Sequence, residues 1–148
     1  MLAHVASTEA IIAAENAMGG DRKMNYDTVP GAIYTLPEVA DVGLTEDQAR
    51  EKGLDIRADS VLFRSIGKSQ VIGELAGEAK IVSDVHHGRV LGVHIIGPHA
   101  TDLIAEGALA LTTGRTVKEI AETIHAHPTL SEVTVEAAFK ALGKALHG

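Results

Sequence analysis

The chain has 148 residues, a formal net charge of −7 and no cysteine. The missing cysteines exclude an internal disulfide, a thiolate nucleophile and a Cys-ligated metal, and the acidic balance without a basic cluster argues against nucleic-acid binding. No apolar stretch is long enough to span a bilayer, and the first residues lack the regions of a signal peptide, so a soluble cytoplasmic protein is expected, with no membrane partner.

The N-terminal part predicts a helix over residues 3–18, which is rich in Ala and Glu and stops at Gly19-Gly20. A polar connector over residues 21–28 follows and ends at Pro30-Gly31. This change from an Ala- and Glu-rich segment to a polar connector that ends at Pro-Gly indicates a domain boundary. Residues 1–28 are then a helix and a linker, and residues 29–148 are the main domain.

The middle of the chain predicts short strands. Residues 32–35 and 39–42 are strand candidates separated by Pro37, and residues 45–52 form a short helix with Thr45 as N-cap and Gly53 as its stop. Residues 61–63 lie in a further strand. Residues 79–85 and 90–96 form a hairpin around a gap that contains Gly88.

The last third predicts helices over residues 101–113, 117–124 and 131–146. Strands followed by helices predict an α+β fold, in which a mainly antiparallel sheet carries helices packed on it, preceded by the extra N-terminal helix.

The segment from His125 to Glu132 holds the residues with the clearest chemical potential. Pro128 favours a turn or extended conformation at His127, and the His127–Pro128 bond is of a type that can be cis. Glu132, one turn into the next helix, is placed to reach one ring nitrogen of His127 and leave the other free, as a general base requires. The same spacing fits a capping box formed by Thr129 and Glu132, and spacing alone favours this second interpretation.

The remaining histidines give weaker signals. His86 and His87 lie in a predicted turn and are expected to be solvated, while His94 and His99 flank Gly97-Pro98 and are structural candidates. His125 with His127, or His86 with His87, is a conceivable metal pair, but zinc requires three or four convergent ligands and no spacing identifies them. No metal site is therefore predicted.

Four segments carry a resemblance to a known family. Residues 125–132 (HAHPTLSE) resemble the C-terminal signature of dihydrolipoamide dehydrogenases, which are pyridine nucleotide-disulfide oxidoreductases. Residues 89–98 (RVLGVHIIGP) and 33–43 (IYTLPEVADVG) are similar to two other segments of that family, and Met1-Leu2-Ala3-His4 resembles the stretch that ends its flavin domain. The segments occur in the family's order and cover essentially the whole chain.

The resemblance implies an enzyme that oxidises dihydrolipoyl groups and passes electrons through a cysteine disulfide and FAD to NAD. It implies that this chain is the C-terminal dimerisation domain of a homodimer, and that His127 is the acid/base residue and Glu132 its carboxylate partner, completing the other subunit's active site. Met1, Leu2, Ala3 and His4 match flavin-contacting positions, and Pro128 joins this cofactor-facing set. The implied partners are the lipoyl domains of a 2-oxo acid dehydrogenase or glycine cleavage complex.

The chain departs from the family by what it lacks. It has no redox cysteines and no dinucleotide-binding glycine fingerprint, and Leu36 stands where the family often has histidine. The chain alone is therefore expected to bind neither FAD nor NAD tightly and to be inactive. The alternatives are the corresponding domain of another flavin disulfide reductase and a dimerisation module without a catalytic role.

Overall fold

The computed structural model describes residues 2–146 and contains a sheet of five antiparallel strands. The strands are β1 (Gly31–Ile33), β2 (Glu38–Gly43), β3 (Ile56–Leu62), β4 (Glu78–Asp84) and β5 (Val90–Gly97). Their spatial order is β1-β2-β5-β4-β3, so β2, β5 and β4 lie inside the sheet and β1 and β3 form its edges.

The helices are grouped mainly after the sheet. They are α1 (Ala3–Ala17), α2 (Glu46–Glu51), α3 (Gly67–Ile72), α4 (Ala100–Thr113), α5 (Val117–Glu122) and α6 (Glu132–Ala141). The predicted α+β architecture with its extra N-terminal helix is confirmed. None of the helices within residues 2–146 combines the length and the apolarity needed to cross a bilayer.

One core joins the sheet to the C-terminal helices. Helices α4 and α6 contact the sheet, and α5 packs on α6. Apolar side chains alternate along β4 and β5 because successive residues of a strand point to opposite faces. The core includes Val42, Ile81, Val93 and Ile95 from the sheet and Val133 from α6, all fully buried or nearly so.

The β4–β5 connection is the hairpin that the sequence predicts. The Asp84 carboxylate accepts the backbone N–H groups of His86 and His87 at Oδ1 and of Arg89 at Oδ2, and Gly88 adopts a left-handed conformation with φ of 67°. Burial acts to raise the pKa of Asp84, but the three backbone hydrogen bonds outweigh it, so the pKa lies below its ordinary value.

Three boundaries differ from the sequence predictions. The final helix ends at Ala141 rather than at residue 146, because Gly143 takes the left-handed φ of 70° that stops a helix. Strand β1 ends at Ile33 rather than at Thr35, and the strand predicted over residues 61–63 begins at Ile56. The first half of this strand lacks a clear strand pattern in the sequence, because it contains the charged residues Arg57 and Asp59.

Helix α3 was not predicted. The segment after the 3-10 turn Phe63–Ser65 has a glycine at the helix start and β-branched residues at its end, which are poor helix formers. The helix packs one side against the rest of the fold, where Ser69 is fully buried, and the side-chain amide of Gln70 donates to the carbonyl of Arg64 in the preceding turn at 3.1 Å. It ends at Gly73, which is left-handed.

Polar contacts fix α6 against β3. The ammonium of Lys140 donates to the carbonyl oxygen of Ser60 at 3.0 Å. The guanidinium of Arg57 binds both carboxylate oxygens of Asp59 and also donates to the carbonyl of Lys140 at 3.2 Å. These contacts set the position of the helix whose first residue is Glu132.

Helix α1 makes few buried contacts, since Ile12 is its only buried residue. It is joined to the connector by polar contacts: Tyr26 donates its hydroxyl to Glu9 at 2.6 Å, and Arg22 pairs with Glu15 at 3.1 Å. Exposed contacts of this kind contribute little stability, so α1 adds little to the core.

Candidate functional site

His127 lies in the segment between α5 and α6. The peptide bond between His127 and Pro128 is cis. The imidazole is 76% exposed, so the surrounding chain leaves it open to a ligand.

Glu132 is the first residue of α6 and holds the ring. Nδ1 of His127 donates to Oε1 of Glu132 at 2.8 Å, while Oε2 of the same carboxylate accepts the backbone N–H of Thr129 at 2.8 Å. Both oxygens are thus engaged, and the carboxylate is fixed relative to the turn. The predicted approach of Glu132 to one ring nitrogen is what the structure shows.

The alternative capping box at Thr129 is wrong in its full form. Helix α6 has Ser131 as N-cap, with no side-chain cap, and the hydroxyl of Thr129 donates to the carbonyl of Ala126 at 2.7 Å. The hydroxyl therefore does not cap the backbone of Glu132. One of the two hydrogen bonds of a capping box is present, because the Glu132 side chain accepts the backbone N–H of Thr129. One carboxylate thus orders the turn and holds the imidazole.

This contact determines the tautomer of His127. Since a carboxylate oxygen accepts, Nδ1 carries the proton and Nε2 is the basic nitrogen of the neutral ring. Within residues 2–146, Nε2 makes no hydrogen bond. The nearby anionic carboxylate stabilises the positive charge that the ring acquires when Nε2 takes a proton. The arrangement suits a proton acceptor that faces outward.

A small cavity of about 180 Å³ lies beside the pair. Helix α3 and the turn before it form its other wall, through Ser65, Ile66, Gly67 and Gln70, while Glu136 closes it on the α6 side. Glu136 is only 4% exposed. Sequence reasoning missed it, although its spacing of four from Glu132 puts both on one helix face.

His125 is placed differently from His127. Its Nδ1 lies 2.9 Å from the carbonyl oxygen of Thr123, and its Nε2 lies 2.9 Å from Oε1 of Glu106 on α4. The side chain is 11% exposed. With both nitrogens engaged, His125 does not share a ligand site with His127, and no group of three or more potential metal ligands occurs in the described part of the chain.

The other histidines lie where the sequence suggested. His94 bonds through Nε2 to the carbonyl of Leu44 at 3.0 Å, a structural role, and His86 and His87 are exposed in the hairpin turn. His99 precedes α4 in a left-handed conformation, with φ of 54°.

The proposed flavin-contacting residues lie at the exposed start of α1. Leu2, Ala3 and His4 are all exposed, and the ring of His4 bonds to the carbonyl of Pro30 at 3.0 Å. Met1 lies outside the described residues. An exposed helix start cannot enclose an isoalloxazine ring or a pyrophosphate, so these residues do not fit FAD by themselves. Pro128 is likewise exposed, beside His127.

Comparison with known proteins shows where this architecture occurs. The family model for the "Pyridine nucleotide-disulphide oxidoreductase, dimerisation domain" matches residues 29–138. A dihydrolipoyl dehydrogenase of Bacillus subtilis is 49% identical over 99% of this chain, and one of Halobacterium salinarum is 45% identical over the same share. The chain spans 31% of the length of each of these relatives.

A solved structure supports the assignment. LpdA from Mycobacterium tuberculosis superimposes with a TM-score of 0.88 and 30% identity, over 94% of this chain and 30% of the LpdA chain. The family match over residues 29–138 includes the five strands and the His127 segment. The chain therefore belongs to the dimerisation-domain family of the pyridine nucleotide-disulfide oxidoreductases.

Proposed function

We propose that this chain serves as the C-terminal dimerisation domain of a dihydrolipoyl dehydrogenase, and that His127 and Glu132 are its acid–base pair. The observation that carries the proposal is the 2.8 Å contact from Nδ1 of His127 to Glu132, made by an imidazole that is otherwise exposed. The names of the relatives at 43–49% identity supply the substrate class.

The proposed chemistry begins with a dihydrolipoyl dithiol at Nε2 of His127. A free thiol titrates near pH ~8.5, and only the thiolate attacks a disulfide. His127 takes the thiol proton and becomes an imidazolium, and the thiolate then attacks one sulfur of a disulfide, which forms a mixed disulfide and releases the other sulfur as a thiolate. The second lipoyl sulfur, as a thiolate, displaces the mixed disulfide, which closes the lipoyl disulfide and leaves the original disulfide as a dithiol. Glu132 holds the ring and stabilises its charge, and the proton leaves from Nε2 later in the cycle.

The disulfide must lie outside this chain, which contains no cysteine. In the proposed enzyme, FAD and NAD belong to the remaining domains and take up the electrons. The chain contributes a proton acceptor that approaches the redox centre from another subunit. This division explains why His127 is exposed in the isolated domain.

We also propose the division of the chain at residue 29. Residues 1–28 would belong to the end of a flavin domain and its linker, and residues 29–148 to the dimerisation domain. Two observations support this: the family match begins at residue 29, and α1 contributes only Ile12 to the buried residues.

The chain is expected to be a homodimer in solution. Three large apolar side chains on its C-terminal half are more than 60% exposed, and a permanent interface would cover such groups: Leu109 on α4, Ile124 after α5 and Leu146 after α6. Sedimentation velocity across micromolar concentrations should give the mass of a dimer. A monomer throughout that range would contradict the proposal.

The isolated chain is expected to bind no FAD and to have no dehydrogenase activity. The physical reason is that its cofactor-facing residues form no enclosed site and its sequence provides no redox sulfur. The purified protein should lack flavin absorbance near 450 nm, and dihydrolipoamide should produce no NADH. Stoichiometric flavin in the purified chain would refute this.

A chimera provides the positive counterpart. This chain replaces the matching C-terminal segment of the Bacillus subtilis relative, to which it is 49% identical. The chimera should purify with FAD and oxidise dihydrolipoamide, whereas a matched chimera with His127→Gln should retain FAD and lose most activity. A flavin-loaded chimera that reduces NAD without any need for His127 would overturn the proposed role.

A further inference from the structure

Both ring nitrogens of His125 lie within hydrogen-bond distance of an oxygen atom. Each ring nitrogen faces an acceptor at 2.9 Å: the Thr123 carbonyl oxygen at Nδ1 and a Glu106 carboxylate oxygen at Nε2. A neutral imidazole has only one N–H. Both contacts are hydrogen bonds at the same time only when the ring carries two N–H groups.

The His125–Glu106 contact is partly shielded from water. The His125 side chain is 11% exposed and Glu106 28% exposed, so water replaces a lost partner poorly. Glu106 also lines a cavity of about 410 Å³ that contains two other charged groups, Arg115 and Glu119, which pair with each other at 2.8 Å. Hydrogen bonds from Thr116 and Arg115 lower the pKa of Glu119.

The contact connects two parts of the chain that are distant in sequence. Glu106 lies on α4, whereas His125 lies two residues before His127 in the segment after α5. On the other side of His127, Glu132 of α6 holds the ring, and Thr129 donates to the carbonyl of Ala126. The exposed His127 is thus fixed between an anchor on α4 and an anchor on α6.

We propose that His125 and Glu106 are positioning residues, whose charged bridge holds the backbone of the His127 segment on α4 so that Nε2 of His127 presents to the dithiol in one orientation. This inference rests on the proposed function for its catalytic consequence. The bridge itself is a property of this chain and is measurable without catalysis. Because small misplacements of a reacting group slow a reaction strongly, losing the anchor lowers the turnover rate rather than substrate affinity.

The first test uses the 148-residue chain labelled with ¹⁵N-histidine. NMR at neutral pH should show two ring N–H protons on His125, both exchanging slowly with water, and Glu106→Gln should remove at least one of them. The matched control is Glu122→Gln, because Glu122 forms only an exposed pair with Lys118 at 3.7 Å. This control should leave the His125 signals unchanged. A wild-type His125 ring with a single N–H at neutral pH would overturn the bridge.

The second test uses the chimera with the Bacillus subtilis relative. Glu106→Gln is nearly isosteric and should slow flavin reduction by dihydrolipoamide about tenfold. KM should stay within about twofold, and Glu122→Gln should have no effect. When His127→Gln is already present, Glu106→Gln should slow the reaction no further, because a positioning residue acts through His127.

The outcomes separate the two proposals. If Glu106→Gln slows the reaction equally with and without His127, the positioning role is wrong, and a merely structural role would lower the melting temperature without changing the rate at 25 °C. If His127→Gln leaves the rate intact, the proposed function fails, while the NMR result still decides whether the bridge exists.

Discussion

His127→Gln is expected to slow dithiol oxidation by roughly 10²–10⁴, the usual contribution of a general acid–base residue. Glutamine keeps polarity and approximate size but cannot take a proton at neutral pH. The reaction would then depend on the small fraction of thiol that ionises unaided. The measurement is the rate of flavin reduction by dihydrolipoamide in the chimera, followed by stopped flow, and FAD content should be nearly unchanged.

Glu132→Gln provides the companion measurement. An amide oxygen can still accept from Nδ1 of His127, but it does not stabilise the imidazolium, so the loss of rate should be smaller than for His127→Gln. A purely capping role predicts a nearly silent substitution, since Gln also serves in a capping box. If both variants reduce the flavin at the parent rate, Glu132 only orders the turn and His127 is not the base.

Phe63→Ala is expected to lower the free energy of unfolding by about 3–5 kcal/mol. Phe63 is fully buried at the end of β3, where the chain enters the turn that leads to α3. Its ring fills the space above Gly97, where an added Cβ would lie 2.4 Å from Phe63 Cε2. Truncation leaves a cavity that the backbone of β5 cannot close. Urea unfolding at one fixed protein concentration measures the loss.

Tyr34→Ala is the matched control for this stability prediction. It removes a comparable aromatic ring that is 81% exposed, and its effect should stay within about 0.5 kcal/mol. A loss below about 1 kcal/mol for Phe63→Ala would show that the ring of Phe63 is not tightly packed against Gly97.

The features that were predicted from sequence share a local origin. The β4–β5 hairpin depends on Gly88 and on residues that are close in the chain, and the contact of His127 with Glu132 spans only five residues. Turn chemistry and helix caps act over such distances, so their signals are present in the sequence itself. The spacing of these residues could not decide whether Glu132 contacts His127 or the backbone N–H of Thr129, because its carboxylate makes both contacts.

The features that were missed depend on distant contacts. Glu106 and His125 are separated by 19 residues, and no spacing rule pairs them. Helix α3 begins with a glycine and ends with β-branched residues, so local propensity does not predict it, and its buried residue, Ser69, faces parts of the fold that are distant in sequence. In β3 the charged residues Arg57 and Asp59 mask the strand pattern, although each neutralises the other by a paired contact at 2.6 Å.

The contact of Lys140 with Ser60 has a consequence for how the sheet meets other chains. The N–H of Phe63 and the carbonyl of Asp55 both bond toward the β4 side, so the alternate residues Ser60 and Leu62 turn their backbone groups to the open edge of the sheet. There the Lys140 ammonium occupies the Ser60 carbonyl, and the Ser65 hydroxyl occupies the Leu62 carbonyl at 2.7 Å.

An open strand edge is a template for strand addition and aggregation unless its groups are occupied or shortened. Side chains block β3 at one edge of this sheet, and β1 at the other edge is only three residues long and directly follows Pro30, which has no N–H to offer. A strand that adds at β3 would have to displace the Lys140 and Ser65 side chains, and β1 offers a second molecule only three residues. Growth of a continuous sheet from copies of this chain is therefore opposed at both edges.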